Sequence, residues 1–201
     1  MEEITMRIFM FMGALLTIGI IAAACLGDGK TTQTESCLGP QDLSSGKTLL
    51  GDCTVYDENG SAVHFSEFRG KHLFINFWAS WCPPCKEEMP AMEKVWQERK
   101  AGKFAMLAVS LPWRGETEDS AKNFFFTEHD FTYRFAFDRN NAVTPTYSIP
   151  SIPTSYLVLP NGVVWAVIFG SRHWENVNCA KLLNAFTQGE ELTRGMLNGC
   201  R

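Results

Sequence analysis

The chain has 201 residues, 45% of them hydrophobic, which suits one globular domain with appendages. Its 18 Lys+Arg stand against 22 Asp+Glu, a net charge of −4 with both signs interspersed, so charge supplies neither the basic footprint of a nucleic-acid binder nor a patch for an acidic surface. Seven cysteines are many for a reducing cytosol and point to a compartment outside it.

Taken in order, Ile8 to Ala24 is an apolar run preceded by Arg7 and closed by Ala22-Ala23-Ala24-Cys25. Residues 1–25 therefore read as a signal peptide or membrane anchor, with Cys25 as a lipidation candidate and an uncleaved membrane helix as the alternative. Residues 26–50 are polar and rich in Gly, Ser and Thr without hydrophobic periodicity, which predicts a flexible tether. A single α/β domain is expected over 51–201. It opens with a hairpin, Cys53–Tyr56 and Ala62–Phe65, around the turn Asp57-Glu58-Asn59-Gly60. Leu73–Trp78 reads as a strand and Pro83 to Lys100 as a helix, with Pro90 expected to kink it. A strand over Phe104–Ser110, a helix over Glu116–Thr127, a short strand within Phe131–Phe137 and a weak helix over Asn140–Tyr147 come next. Ser155–Leu159 and Val163–Ile168 flank Asn161-Gly162 as a second hairpin, and a last helix is expected from Trp174 to Thr187.

The stretch Phe74-Ile75-Asn76-Phe77-Trp78-Ala79-Ser80-Trp81-Cys82-Pro83-Pro84-Cys85 states a chemistry. An apolar strand ends in two cysteines, and Pro83-Pro84 suit the first helical turn, where backbone N–H groups lack helical partners anyway. Cys82 is thereby placed at the N-cap, where the helix dipole favours the thiolate that attacks disulfides. Cys85 lies one turn inside, within reach of a disulfide to Cys82. A zinc site would need a second pair of ligands, and His64, His72, His129 and His173 are scattered singly, so no metal is expected.

Hairpin, β-α-β-α-β, hairpin and final helix, with Cys-x-x-Cys at the first βα junction, resemble the thioredoxin fold: a central mixed sheet flanked by helices, with an added N-terminal β-hairpin. Phe68-Arg69-Gly70-Lys71, Asn76 to Cys85, Glu88-Met89-Pro90 and Tyr147-Ser148-Ile149-Pro150-Ser151-Ile152-Pro153-Thr154 together resemble, more narrowly, the membrane-tethered TlpA/ResA/CcmG thiol-disulfide oxidoreductases. The wider fold carries a buried Asp where this chain has Asn76; the tethered branch usually has Asn there and an acidic residue at the position of Glu88. Helical spacing agrees, because Cys85, Met89, Met92 and Trp96 share a face and Glu88 lies at its edge, three residues from Cys85. A carboxylate that snorkels to water is the alternative for Glu88.

The resemblance also implies a cis bond between Ile152 and Pro153 facing the dithiol. That would leave the Ile152 backbone free for an extended substrate segment, while Pro153 keeps metals from the two sulfurs. Trp81 is read as part of the substrate platform. The implied activity is reduction of disulfides in exported proteins, including apocytochrome c, with a membrane electron donor restoring the dithiol and no cofactor beyond it. Thiol oxidation or isomerisation on the same fold, and a copper-binding assembly chaperone, are the rival readings. Cys37, Cys53, Cys179 and Cys200 allow three connectivities. Neighbour pairs, Cys37 with Cys53 and Cys179 with Cys200, are preferred to cross-pairs, and free buried thiols are the alternative.

Overall fold

The computed structural model describes residues 37–42 and 46–201. The expected leader, its Cys25 and the first part of the tether lie outside the described residues. Among the described residues no helix is long and apolar enough to cross a membrane.

Seven strands form one mixed sheet: β3 (Thr54–Tyr56), β4 (Ala62–His64), β5 (His72–Trp78), β6 (Phe104–Ser110), β7 (Arg134–Phe137), β8 (Thr154–Val158) and β9 (Val164–Phe169), in the order β4-β3-β7-β6-β5-β8-β9. β5, β6 and β7 run parallel, whereas β8 pairs antiparallel with β5 and β9 with β8 on one side, and β3 pairs antiparallel with β7 and β4 with β3 on the other. The central β5 is an unbroken buried run, as expected of a strand covered on both faces. Its pleat sends Phe74 and Trp78 into one core, with helices α1 (Pro83–Arg99) and α4 (Val177–Gln188). Leu73, Ile75 and Phe77 enter the other, with the β3–β4 hairpin and α3 (Val143–Tyr147). Asn76 falls on the α1 face, and that alternation carries its amide to the functional site.

Four segments depart from the sequence reading. Within the stretch read as tether, β1 (Gln41–Asp42) and β2 (Thr48–Leu49) make a separate two-stranded hairpin. Leu50 is buried there, Cys37 is bonded to Cys53, and the Leu38 amide donates to the Asp52 carbonyl at 2.7 Å. Gly51 makes this approach possible, since any side chain at that position would strike the Leu38 and Gly39 carbonyls. The helix expected from Glu116 starts late, as α2 (Glu118–Lys122), because Glu116 is turned inward and Thr117 caps the first turn. It then widens into a π-helical stretch over Asn123–Glu128 that buries Phe124 and Phe125. The last predicted helix starts at Val177 behind an Asn176 cap, so Trp174 lies outside it. A further short helix, α5 (Arg194–Gly199), is fastened to α4 by the Cys179–Cys200 disulfide.

Candidate active site

β5 ends at Trp78, and the chain turns through Ala79-Ser80-Trp81 into α1, whose N-cap is Cys82. Glu116 holds this turn: its carboxylate accepts from the Ser80 amide at 3.1 Å and from the Ser80 hydroxyl at 2.9 Å. Cys82 and Cys85 are joined as a disulfide with Cα atoms 5.3 Å apart. Pro83 and Pro84 occupy the first helical positions and have no N–H to offer, so the Cys85 amide, at 3.3 Å, is the hydrogen-bond donor to the Cys82 sulfur. In this oxidised form Cys82 is 3% exposed and Cys85 fully buried. Cys82 nevertheless lines a cleft of about 270 Å³, together with Trp81, Pro84 and Ile152. α1 runs unbroken through Pro90, whose ring faces solvent.

One turn beyond Cys85, Glu88 is only 2% exposed, and it faces inward rather than snorkelling to water. Three neutral donors reach its carboxylate: the Asn76 amide at 2.8 Å, the Arg172 backbone N–H at 2.9 Å and the Trp174 indole N–H at 3.1 Å. Burial pushes the Glu88 carboxyl up to about 7, and these hydrogen bonds to its ionised form limit the rise. The Arg172 guanidinium itself is turned toward the Gly170 and Ser171 carbonyls. A carboxyl so placed can hold or release a proton near neutral pH.

Asn76 is suited to that exchange. Its Nδ2 donates both to Glu88 and, at 3.0 Å, to the Ser155 hydroxyl, while its buried Oδ1 has no partner among the described residues. Exchanging the two ends of the amide would present Oδ1 to a protonated Glu88 and to the Ser155 O–H, so the same side chain serves both protonation states. An Asp at this position would set a second carboxylate against the first, and like charges in a dry site disfavour each other.

Across the cleft the Ile152–Pro153 peptide is cis. Pro153 is buried, its carbonyl accepts from Gly170 at 2.8 Å, and Thr154 caps the bend by donating to the Ser151 carbonyl at 2.7 Å. Ile152 is half-buried, and its own N–H and C=O make no hydrogen bond among the described residues. Trp81 is half-buried too, its indole N–H donating to the Trp113 carbonyl at 2.8 Å. The structure thus brings Trp81, Cys82, Cys85, Glu88, Ile152 and Pro153 to one end of the sheet. Cys37–Cys53 and Cys179–Cys200 are separate disulfides. Among the described residues no three His, Cys, Asp or Glu side chains converge as metal ligands.

Sequence reasoning missed Trp174, the Arg172 amide, Ser155 and Glu116. Only the first left a usable signal: Asn176 is a strong N-cap residue, and starting the helix there releases Trp174 to the loop.

Comparison with known proteins places the chain in a family. Residues 44–183 match the Redoxin family model. A thiol-disulfide oxidoreductase ResA of Oceanobacillus iheyensis is 37% identical over 55% of this chain and 56% of its own length, so the match spans little more than half of that relative. The ResA of Bacillus subtilis is 29% identical over 76% of this chain and 83% of its own. Among solved structures, a DsbE-type thiol:disulfide interchange protein from Chlorobium tepidum superposes with a TM-score of 0.60 at 26% identity, covering 68% of this chain and 93% of that one. With a matched model over most of its length and a dithiol at the N-cap of α1, the chain belongs to the redoxin family and is a thiol-disulfide oxidoreductase of the ResA/DsbE type.

Proposed function

We propose that the protein works outside the cytoplasm, held at the membrane by its N-terminal segment, as a reductase of disulfides in exported proteins. Cytochrome c haem-attachment cysteines are among the substrates this reading admits. In the forward step the Cys82 thiolate attacks one sulfur of the substrate disulfide. The substrate S–S bond breaks, one substrate thiolate leaves and takes up a proton, and a mixed disulfide joins Cys82 to the substrate. Cys85 gives its proton to the Glu88 carboxylate, directly or through one water, and its thiolate attacks the Cys82 sulfur. The second substrate thiolate departs, and Cys82–Cys85 is left oxidised. Two electrons have passed to the substrate, and a membrane dithiol donor must return them. Trp81 and the unpaired Ile152 backbone seat the substrate segment.

The observation that carries the reductive direction is the proline pair. With N–H groups missing at both Pro83 and Pro84, the first turn of α1 offers the Cys82 sulfur one backbone donor, the Cys85 amide. A thiolate with few donors is poorly stabilised, and a poorly stabilised reduced form makes a better reductant. Equilibration of Cys82–Cys85 with glutathione or dithiothreitol tests this. A potential toward the thioredoxin end of the range, about −270 mV, supports reduction, whereas one near about −120 mV identifies an oxidase.

A further inference from the structure

The segment Leu111-Pro112-Trp113-Arg114-Gly115 leaves β6 and turns tightly beside the dithiol. Arg114 has φ 51° and Gly115 φ 80°, so a non-glycine side chain is held in the left-handed region that ordinarily favours glycine. Its surroundings fix it. The Trp113 indole N–H donates to Thr144 Oγ1 at 3.0 Å, the Trp113 carbonyl takes the Trp81 indole N–H, and the Glu116 amide closes the turn onto the same carbonyl at 3.0 Å. The two tryptophans are therefore locked to each other, and the Arg114 guanidinium lies 5.0 Å from the centre of the Trp81 ring.

Arg114 is exposed and, among the described residues, has no carboxylate within ion-pair distance. The nearest acids along the chain are committed elsewhere: Glu116 to Ser80, Glu118 to Arg139 and Lys122. A constrained, unneutralised cation thus borders the same cleft as Cys82 and Ile152. Trp113 and Arg114 line this cleft together with Cys82 and Ile152, so the residue next to a cysteine held at Cys82 comes within reach of the guanidinium.

Resting on the reductase reading above, we propose that this cleft selects disulfides whose attacked cysteine has an acidic side chain next to it, the carboxylate pairing with the Arg114 guanidinium above Trp81. Guanidinium and carboxylate match in shape and charge, and the indole beneath the guanidinium keeps its approach fixed. A lysine in the same place meets like charge with no acid on the cleft wall to relieve it.

The test uses the reduced full chain and three disulfide-closed peptides that differ only in the residue beside the attacked cysteine: Glu, Gln or Lys. Rates of peptide reduction at low ionic strength are compared within one protein, so a change in Cys82 reactivity cancels from the ratio. The Glu peptide is expected to be reduced about fivefold or more faster than the Lys peptide, with Gln between, and added salt shrinks the difference. Arg114→Asn, which suits left-handed backbone, brings the ratio close to one, and Arg114→Glu reverses the order. Equal rates for all three peptides, or an acidic preference that persists in Arg114→Glu, overturn the proposal and leave the reductase reading standing. If the reduced chain transfers electrons to none of the peptides, that reading falls and this one with it.

Discussion

Two glutamates on adjoining helices show how the same carboxyl is driven in opposite directions. Glu88, inside α1, is pushed up to about 7 by burial. Glu118, at the surface start of α2, is drawn down to about 2, chiefly by its hydrogen bonds to Arg139. Glu118 has charged partners, with Arg139 Nε and Nη2 at 2.7 and 2.9 Å and Lys122 Nζ at 2.7 Å. Glu88 has a comparable number of hydrogen bonds, but its donors are an amide, a peptide N–H and an indole. Neutral dipoles satisfy the lone pairs but offset only part of the loss of water around a charge, whereas a cation favours the ionised form outright. The number of bonds does not decide the proton; the charge of the donors and the access of water do.

The comparison can be broken at its proton first. Cys85→Ser removes the group that Glu88 is proposed to deprotonate, and it should abolish turnover while trapping substrate on Cys82 as a mixed disulfide, detectable by mass under non-reducing conditions. Glu88→Gln keeps the shape and removes the titration. Resolution of the mixed disulfide should slow by about a hundredfold or more, and the inflection near neutral pH in cysteine alkylation should disappear.

The same Glu88→Gln variant reads the linkage to stability. The folded carboxyl titrates near 7 against an ordinary value of 4.5, so between those limits the native chain holds a proton that the unfolded chain has released. Stability therefore falls as pH rises through that window and levels off above about 7, by at most about 3 kcal/mol. In Glu88→Gln the fall should be missing from denaturant titrations across the window, because the substituted amide stays neutral at every pH and the Asn76 side chain can turn its Oδ1 toward it.

Trp174→Phe sharpens the point about neutral donors. It deletes one hydrogen bond to Glu88 and retains an aromatic ring where the indole meets Phe74 at 4.8 Å. The alkylation inflection should move to higher pH, with a stability loss of about 1 kcal/mol. The smallest effect belongs to the surface. Arg139→Gln should return Glu118 toward ordinary carboxylate values and cost less than about 1 kcal/mol, because both partners are partly solvated. That stability is present above the ordinary carboxylate range and is lost as pH falls toward about 2 in the parent chain, so chemical-shift titration of Glu118 is the more sensitive measurement.

Features under the control of short-range geometry were legible in the amino-acid pattern. The continuous apolar run of β5, the prolines after Cys82, the period of the α1 face and Asn161-Gly162 at the second hairpin each act over a few residues, so strand, N-cap, Glu88 and turn could all be placed from local rules. Gly162 adds a tertiary reason to its local one, since its φ of 83° suits the turn and a side chain there would overlap the Arg69 guanidinium. The surroundings of Glu88 come from long-range packing. Asn76 lies on the central strand, Arg172 and Trp174 lie in the loop after β9, and 84 and 86 residues of chain separate that loop's donors from the carboxylate they meet. The fold likewise chose one of three cysteine pairings, drew Cys37 and Leu50 onto the domain, and set Arg114 over Trp81. Local pattern names the groups that can carry charge or a thiol. The desolvation and the donors that set their chemistry come from elements far apart in sequence, and these meet only when the sheet is closed.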